Sequence, residues 1–117
     1  MPKFAPFEFG DEASVPAPGT PGARELWDAY VRLDEEAKAA GVLIDSQPFA
    51  PTTAATTLRL RGGRASQTAG PAEQTRTQLG GHYLLTCRDE AEALRWAARV
   101  PGGSTGAVEV RPIVEGA

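Results

Sequence analysis

Apolar and polar residues change period along the chain, and the changes mark its elements. Lys3 to Phe9 is aromatic-rich, with Phe4, Phe7 and Phe9, and predicts a first strand. Pro6 stands inside it. Proline donates no ladder hydrogen bond, so a bulge is expected there, or a position whose N–H would face no partner. Gly10 to Gly22 is rich in proline and glycine and predicts a loop able to cover a site. A helix follows. Thr20 is placed to cap it and Pro21 suits its first position. Leu26, Tyr30, Leu33, Ala37 and Ala40 recur at helical spacing, Trp27 and Val31 widen the stripe, and Gly41 is the stop.

Val42 to Ile44 predicts a short extended run, and Gln47 to Thr53, broken by Pro48 and Pro51, predicts a loop. Ala55 to Arg61 alternates, with Leu58 and Leu60 on one face and Thr57, Arg59 and Arg61 on the other. Gly62-Gly63 signals a tight hairpin returning through Arg64 to Thr68. Ala69 to Leu79 is polar and predicts a loop with a turn of helix. Gly80-Gly81 opens a strand over His82 to Cys87. Asp89 caps a second helix with Glu92 placed for a capping box. Ala91, Leu94 and Ala98 are its expected buried stripe, and Pro101 ends it. The last strand is Ala107 to Val114.

Strand, helix, strands, strand, helix, strand is the plan of an α+β, ferredoxin-like split βαβ sandwich with an added hairpin. Residues 1–117 show no repeat and no composition shift, and are expected to form one domain. Two helices cover one sheet face. The other is expected to carry apolar residues from Phe4, Phe7, Phe9, Leu84 and Leu85. Such a face needs a partner, and a second copy related by a two-fold axis is the simplest, so a homodimer is expected.

Composition removes several function classes. The formal net charge of −3 gives no basic face for nucleic acid. No apolar run is long enough to span a membrane, and Met1 to Gly10 lacks an apolar signal core, so a cytoplasmic protein is expected. Cys87 is the only cysteine, which excludes an internal disulfide and a thiolate metal cluster. With one histidine, a His-based metal site is not expected. No phosphate-binding glycine motif, zinc spacing or Gly-x-Ser-x-Gly elbow is present, so no cofactor is expected. The Ala-, Arg- and Gly-rich usage points to a GC-rich bacterial genome.

Gln78-Leu79-Gly80-Gly81-His82-Tyr83-Leu84-Leu85, then Glu92-Ala93-Leu94-Arg95-Trp96-Ala97-Ala98-Arg99, then Val108-Glu109-Val110-Arg111-Pro112 resemble the YCII-related family, in particular its DGPF branch. Gly10-Asp11-Glu12-Ala13, Ala40-Gly41-Val42-Leu43 and Ala55 to Arg61 also fit that branch. The resemblance covers nearly the whole chain. It implies a dimeric α+β barrel with clefts beside the sheets. It also implies a small-molecule ligand, since a few relatives act as cofactor-free lyases or isomerases on small ring compounds. The signature Asp-Gly-Pro-Phe stands here as Ala69-Gly70-Pro71-Ala72, and the acidic residue usual shortly after it is Gln74. The turn is kept, but the carboxylate and the aromatic are absent.

Glu8 and His82 are the candidate catalytic pair. In a ferredoxin-like order the first and third strands are antiparallel neighbours. A register setting Glu8 opposite His82 and Phe7 opposite Tyr83 would place the two polar residues on one face as a carboxylate–imidazole couple. The competing reading is a satisfied histidine at a strand end, with Glu8 solvated or paired to Arg111. Arg59 is a candidate contact for an anionic substrate, set against a solvated strand edge. Asp11 is a candidate ligand contact on the proline- and glycine-rich loop, set against a surface carboxylate, and Asp45 is read the same way. Tyr83 alternates away from His82 and reads as core first and substrate contact second. Trp27 and Trp96 read as packing, and Cys87 as a buried, inert thiol. The functional expectation is a cofactor-independent acid–base enzyme of the lyase, isomerase or cyclase type. The alternative is a non-catalytic binding or accessory module that has lost the signature loop.

Overall fold

Phe4, Pro6, Tyr83, Leu85 and Cys87 are all buried, and burying them together dictates how the central strands align. A computed structural model describes residues 1–116. Its strands are β1 (Lys3–Asp11), β2 (Leu43–Pro48), β3 (Thr56–Arg61), β4 (Arg64–Ala69), β5 (Thr77–Thr86) and β6 (Ala107–Pro112). Its helices are α1 (Pro21–Ala39) and α2 (Glu90–Ala97). Four strands form one antiparallel sheet in the order β2-β5-β1-β6, and β3 and β4 form a separate hairpin. The sheet order is that of the ferredoxin-like plan, so the α+β expectation holds.

Local chemistry sets the ends of the elements. Thr20 Oγ1 accepts from Ala23 N at 3.3 Å, and Pro21 opens α1. Asp89 Oδ1 accepts from Glu92 N at 2.9 Å at the start of α2. Glu92 reaches back one residue further than expected, accepting from Arg88 N at 2.8 Å. Gly62 and Gly63 both take positive φ, 53° and 77°, which the tight β3–β4 turn requires.

Several expectations shift. β1 runs on through Gly10 and Asp11, β2 through Gln47 and Pro48, and β5 begins at Thr77, all in segments read as loop. The strands there find ladder partners that local composition does not report: Asp11 faces Thr77 and Pro48 faces Gly81. β6 stops at Pro112, short of Val114. Pro6 is fully buried in a central strand, and the β1–β5 pairing passes from Phe4↔Leu85 to Phe7↔His82 without Ala5 and Pro6. The register shift lies further along, between Glu8↔Gly81 and Phe9↔Leu79, which leaves Gly80 as the extra residue.

The expected register is off by one. Phe7, not Glu8, stands opposite His82. Setting Glu8 against His82 would set Phe4 against Thr86 and bring Thr86 and His82 onto the face where Leu85 and Tyr83 pack. Core burial forbids that slip. The alternation also sorts the aromatics. Phe4 and Leu85 belong to the helix-covered core with Leu33, Ala37, Val42, Ala93 and Val100. Phe7, Phe9 and Leu84, all half-buried, lie on the other, uncovered face.

The helix stripes are narrower than expected. In α1 only Leu33 and Ala37 are buried, while Trp27 is 60% exposed. In α2 the inward face is Ala93 and Ala97, not Ala91, Leu94 and Ala98. Small residues let the helix backbone approach the sheet, and Leu94 turns outward, 49% exposed. The chain is a slab of 46 × 45 × 18 Å with a radius of gyration of 16.0 Å. A chain this long packed as a sphere would have a radius of gyration of about 13 Å. The excess goes with this flat shape and with the separate hairpin, in which every residue of β3 and β4 except Thr57 is exposed.

The rotation of the α2 stripe has a measurable consequence. Ala93→Leu is expected to cost about 1–3 kcal/mol by overpacking. Ala98→Leu, on the exposed side, should stay within about 0.5 kcal/mol of wild type in urea unfolding. Equal effects at the two positions would restore the expected stripe.

Candidate acid–base site and polar cleft

His82 projects from β5 onto the uncovered sheet face. β2 runs alongside, and its register sets Gln47 directly opposite His82 and Asp45 opposite Leu84. Asp45 is therefore a diagonal neighbour on the same face. His82 Nε2 lies 3.3 Å from Asp45 Oδ2, and Gln47 Nε2 donates to Asp45 Oδ1 at 3.1 Å. The Phe49 ring lies 5.6 Å from the imidazole, centre to centre. The His82 side chain is 28% exposed and that of Asp45 45%. A carboxylate on Nε2 fixes the ring and leaves Nδ1 for a second partner, which is the arrangement proton transfer needs. The surface beside it is apolar at its centre, with Ala5 buried and Phe7, Phe9 and Leu84 half-buried. It is charged at the β6 rim, where Arg111 Nε lies 3.6 Å from Glu109 Oε2.

Glu8 is on the opposite side of the sheet. It lies under α1, where its Oε1 accepts from the Tyr30 hydroxyl, and Gly102 N donates to the same hydroxyl at 3.0 Å. A Cβ at residue 102 would strike both the Glu8 carboxylate and the Tyr30 hydroxyl, so a larger residue there would have to displace this hydrogen-bonded pair. Burial and the Glu8 carboxylate push the Tyr30 phenol well above its ordinary range. Glu8 thus ties β1, α1 and the Pro101–Thr105 turn together, and the expected Glu8–His82 couple does not form.

Tyr83 also faces the helices and belongs to the core, so it is no contact for a ligand on the His82 face. Burial raises its phenol, and the carboxylates of Asp34 and Glu8 add to the effect. Asp34, on α1, is a group the sequence reading missed. It lies near Ser46 and Tyr83, its Oδ1 is buried without a hydrogen-bond partner, and burial raises its carboxyl. Cys87 is fully buried, and burial raises its thiol, in keeping with an inert cysteine.

Asp11 helps form a separate cleft of about 310 Å³ where the end of β1 meets the turn after it and the loop that follows the hairpin. Glu12, Thr52, Gln74, Arg76 and Gln78 also line it. Asp11 Oδ1 accepts from Ala13 N at 2.9 Å, and Oδ2 pairs with Arg76 Nε at 3.0 Å. The Ala13 amide and then the Arg76 guanidinium hold its carboxyl below the usual 3.8. Glu12 accepts from Thr52 N at 2.9 Å and Thr52 Oγ1 at 3.0 Å. The cleft's charges are spent largely on one another, which suits holding a polar ligand more than moving a proton. Arg59 lies on the hairpin, away from His82 in the fold, and donates from Nη2 to Ala72 O at 3.1 Å. It braces the Gly70–Pro71 turn that walls this cleft.

Asp45 as the histidine's partner was within reach of the sequence only if β2 were known to continue past Ile44. Pro48 and Pro51 masked that continuation. Among the described residues, no three or more His, Cys, Asp or Glu side chains gather as metal ligands. No helix among them is long and apolar enough to cross a membrane.

Asp34→Asn gives a prediction with a defined sign. A carboxyl raised in the folded state loses stability for the protein as pH climbs through its raised pKa. The variant should melt higher than wild type at pH 7. The difference should vanish below the ordinary aspartate value, where both states are protonated. A lower melting temperature at pH 7 would mean that Asp34 has a stabilising partner.

The YCII-related domain family matches residues 11–116. An uncharacterised protein of Rhizobium meliloti (strain 1021) is 42% identical over 76 residues, covering 63% of this chain and 61% of that protein. The chain thus aligns with somewhat under two thirds of that relative's length. The match over nearly the whole chain makes it a member of the YCII-related family.

Proposed function

We propose that this member of the YCII-related family is a small-molecule-binding protein, one domain over residues 1–117, in which His82 acts as an acid–base group. The observation that carries the reading is the Nε2–Oδ2 approach of 3.3 Å between His82 and Asp45, beside an apolar sheet surface. Asp45 takes the carboxylate part first assigned to Glu8. The reaction class is a cofactor-independent proton transfer, as in an elimination, isomerisation or cyclisation. Phe49 and Phe7 supply flat apolar contact for a ring compound.

A half-exposed imidazole is a poor place to hold a reactive intermediate, because water competes. In the proposal the uncovered face therefore meets the same face of a second copy, and the rims of the two sheets leave a sheltered hollow at His82. A cytoplasmic, bacterial setting fits the single buried thiol and the source of the relative.

The second reading is a binding module without catalysis, and the self-paired polar cleft at Asp11 and Arg76 favours it. In that reading the ligand is a small polar molecule seated against Asp11, Gln74 and Gln78.

The two readings separate in deuterium oxide. A panel of small ring ketones and lactones is incubated with the protein, and exchange of their acidic C–H positions is followed by proton NMR. Wild type should catalyse exchange into at least one compound. His82→Ala should slow it by about 10²–10⁴-fold and Asp45→Asn by less, with melting temperatures nearly unchanged. Undiminished exchange in His82→Ala ends the acid–base role. Ligand-induced shifts at Asp11 and Gln78 amides without any exchange favour the binding module.

A further inference from the structure

Among the described residues the hairpin β3–β4 packs substantially against no other strand or helix of its own chain. Leu58 is 58% exposed and Leu60 74%. The register sorts the ribbon into two faces. Leu58, Leu60, Ala65 and Gln67 share one, and Arg59, Arg61, Arg64 and Ser66 the other. Its root is fastened, by Gly70 N to Ala55 O at 2.8 Å and Thr57 Oγ1 to Gly70 O at 2.7 Å. Beyond the root it has its own cross-strand bonds and one tie to the loop that follows, from Arg59 Nη2 to Ala72 O at 3.1 Å. An isolated two-stranded ribbon is marginal in water at best. This one also sets Arg61 directly opposite Arg64, a like-charge pair that costs stability unless an acid lies near.

We propose that this ribbon is an arm that clasps a second copy of the same chain, laying its Leu58–Leu60–Ala65 face on the body of the partner. The charge distribution selects that occupant. The arm carries three arginines and no acid, while the rest of the chain holds nine cations against fifteen carboxylates. A basic arm and an acidic body within one sequence attract each other between copies through net charge, although the arginines lie on the ribbon face opposite the leucines, with Arg61 and Arg64 beside the turn. Among the described residues of one copy, neither β3 nor β4 packs substantially against any strand or helix outside the arm. A nucleic acid would match the arm but be repelled by the body. The proposal rests on the sheet-to-sheet pairing of copies described above and adds the arm to it. In the pair, the arm gains cover for its leucines and carboxylates for its tip, and each copy holds the other outside the sheet contact.

Sedimentation velocity over a micromolar range tests it, with wild type, Leu58→Asp with Leu60→Asp, and wild type at 1 M salt. Wild type should be a dimer. The double variant should dissociate at least tenfold more readily, with an unchanged melting temperature for the separated copies. High salt should weaken the wild-type dimer, because it screens the arginines. Hydrogen exchange checks the same point without substitution: protection over residues 56–69 should fall on dilution in step with the dimer fraction. A dimer unaffected by the double variant, or an arm unprotected in the dimer, overturns the arm and leaves the sheet pairing standing. A wild-type chain that is monomeric throughout overturns both.

Discussion

Phe7 faces His82 and Glu8 faces Gly81 across the two central strands, and side-chain alternation carries that offset through the whole sheet. Helix-side burial of Phe4, Tyr83 and Leu85 holds the offset in place. Two consequences follow at once. Glu8 is drawn under α1, where Tyr30 and the Gly102 amide engage it. His82 is left on the uncovered face, where the nearest carboxylate comes from β2. The same alignment that makes the core therefore separates the two polar residues that looked like a couple and creates a different one.

The two polar arrangements have different physical characters. The Glu8–Tyr30–Gly102 group lies between layers and fastens three elements, and a side chain at 102 would displace the Glu8 and Tyr30 ends. The Gln47–Asp45–His82 row sits on a surface beside phenylalanines and fastens nothing across layers. A polar row with no structural burden, set against apolar surface, is where a ligand can replace water at small cost to the fold. That contrast is why the functional reading follows His82 rather than Glu8.

Features set by a few neighbouring residues were legible in the sequence. Thr20-Pro21, Asp89, Gly41 and Gly62-Gly63 mark element ends by local hydrogen bonding and positive φ, and the strand–helix order follows from period alone. Features that depend on a distant strand were not. The extension of β2 to Pro48 and of β5 back to Thr77 comes from pairing, which local proline and polar composition conceals. The β1–β5 register differed by one residue, and one residue is enough to exchange the faces. The α2 stripe misled for a related reason: Leu94 is the larger apolar residue, but Ala93 and Ala97 allow the closer approach. Asp11 was read as a loop residue, yet it ends β1, and neither the cleft it lines nor its partner Arg76 could be seen in the sequence.

A slab 18 Å deep has room for one stratum of side chains between helices and sheet. The void within that stratum, bounded by Leu33, Tyr83, Trp96 and Val100 among others, is about 10 Å³, the size of a water molecule rather than of a metabolite. Between those core residues the layer thus offers no chamber, and the roomier cleft at Asp11 lies outside it. In the proposed pairing of copies a second plate would serve as the missing wall, so that confinement and assembly would be a single event.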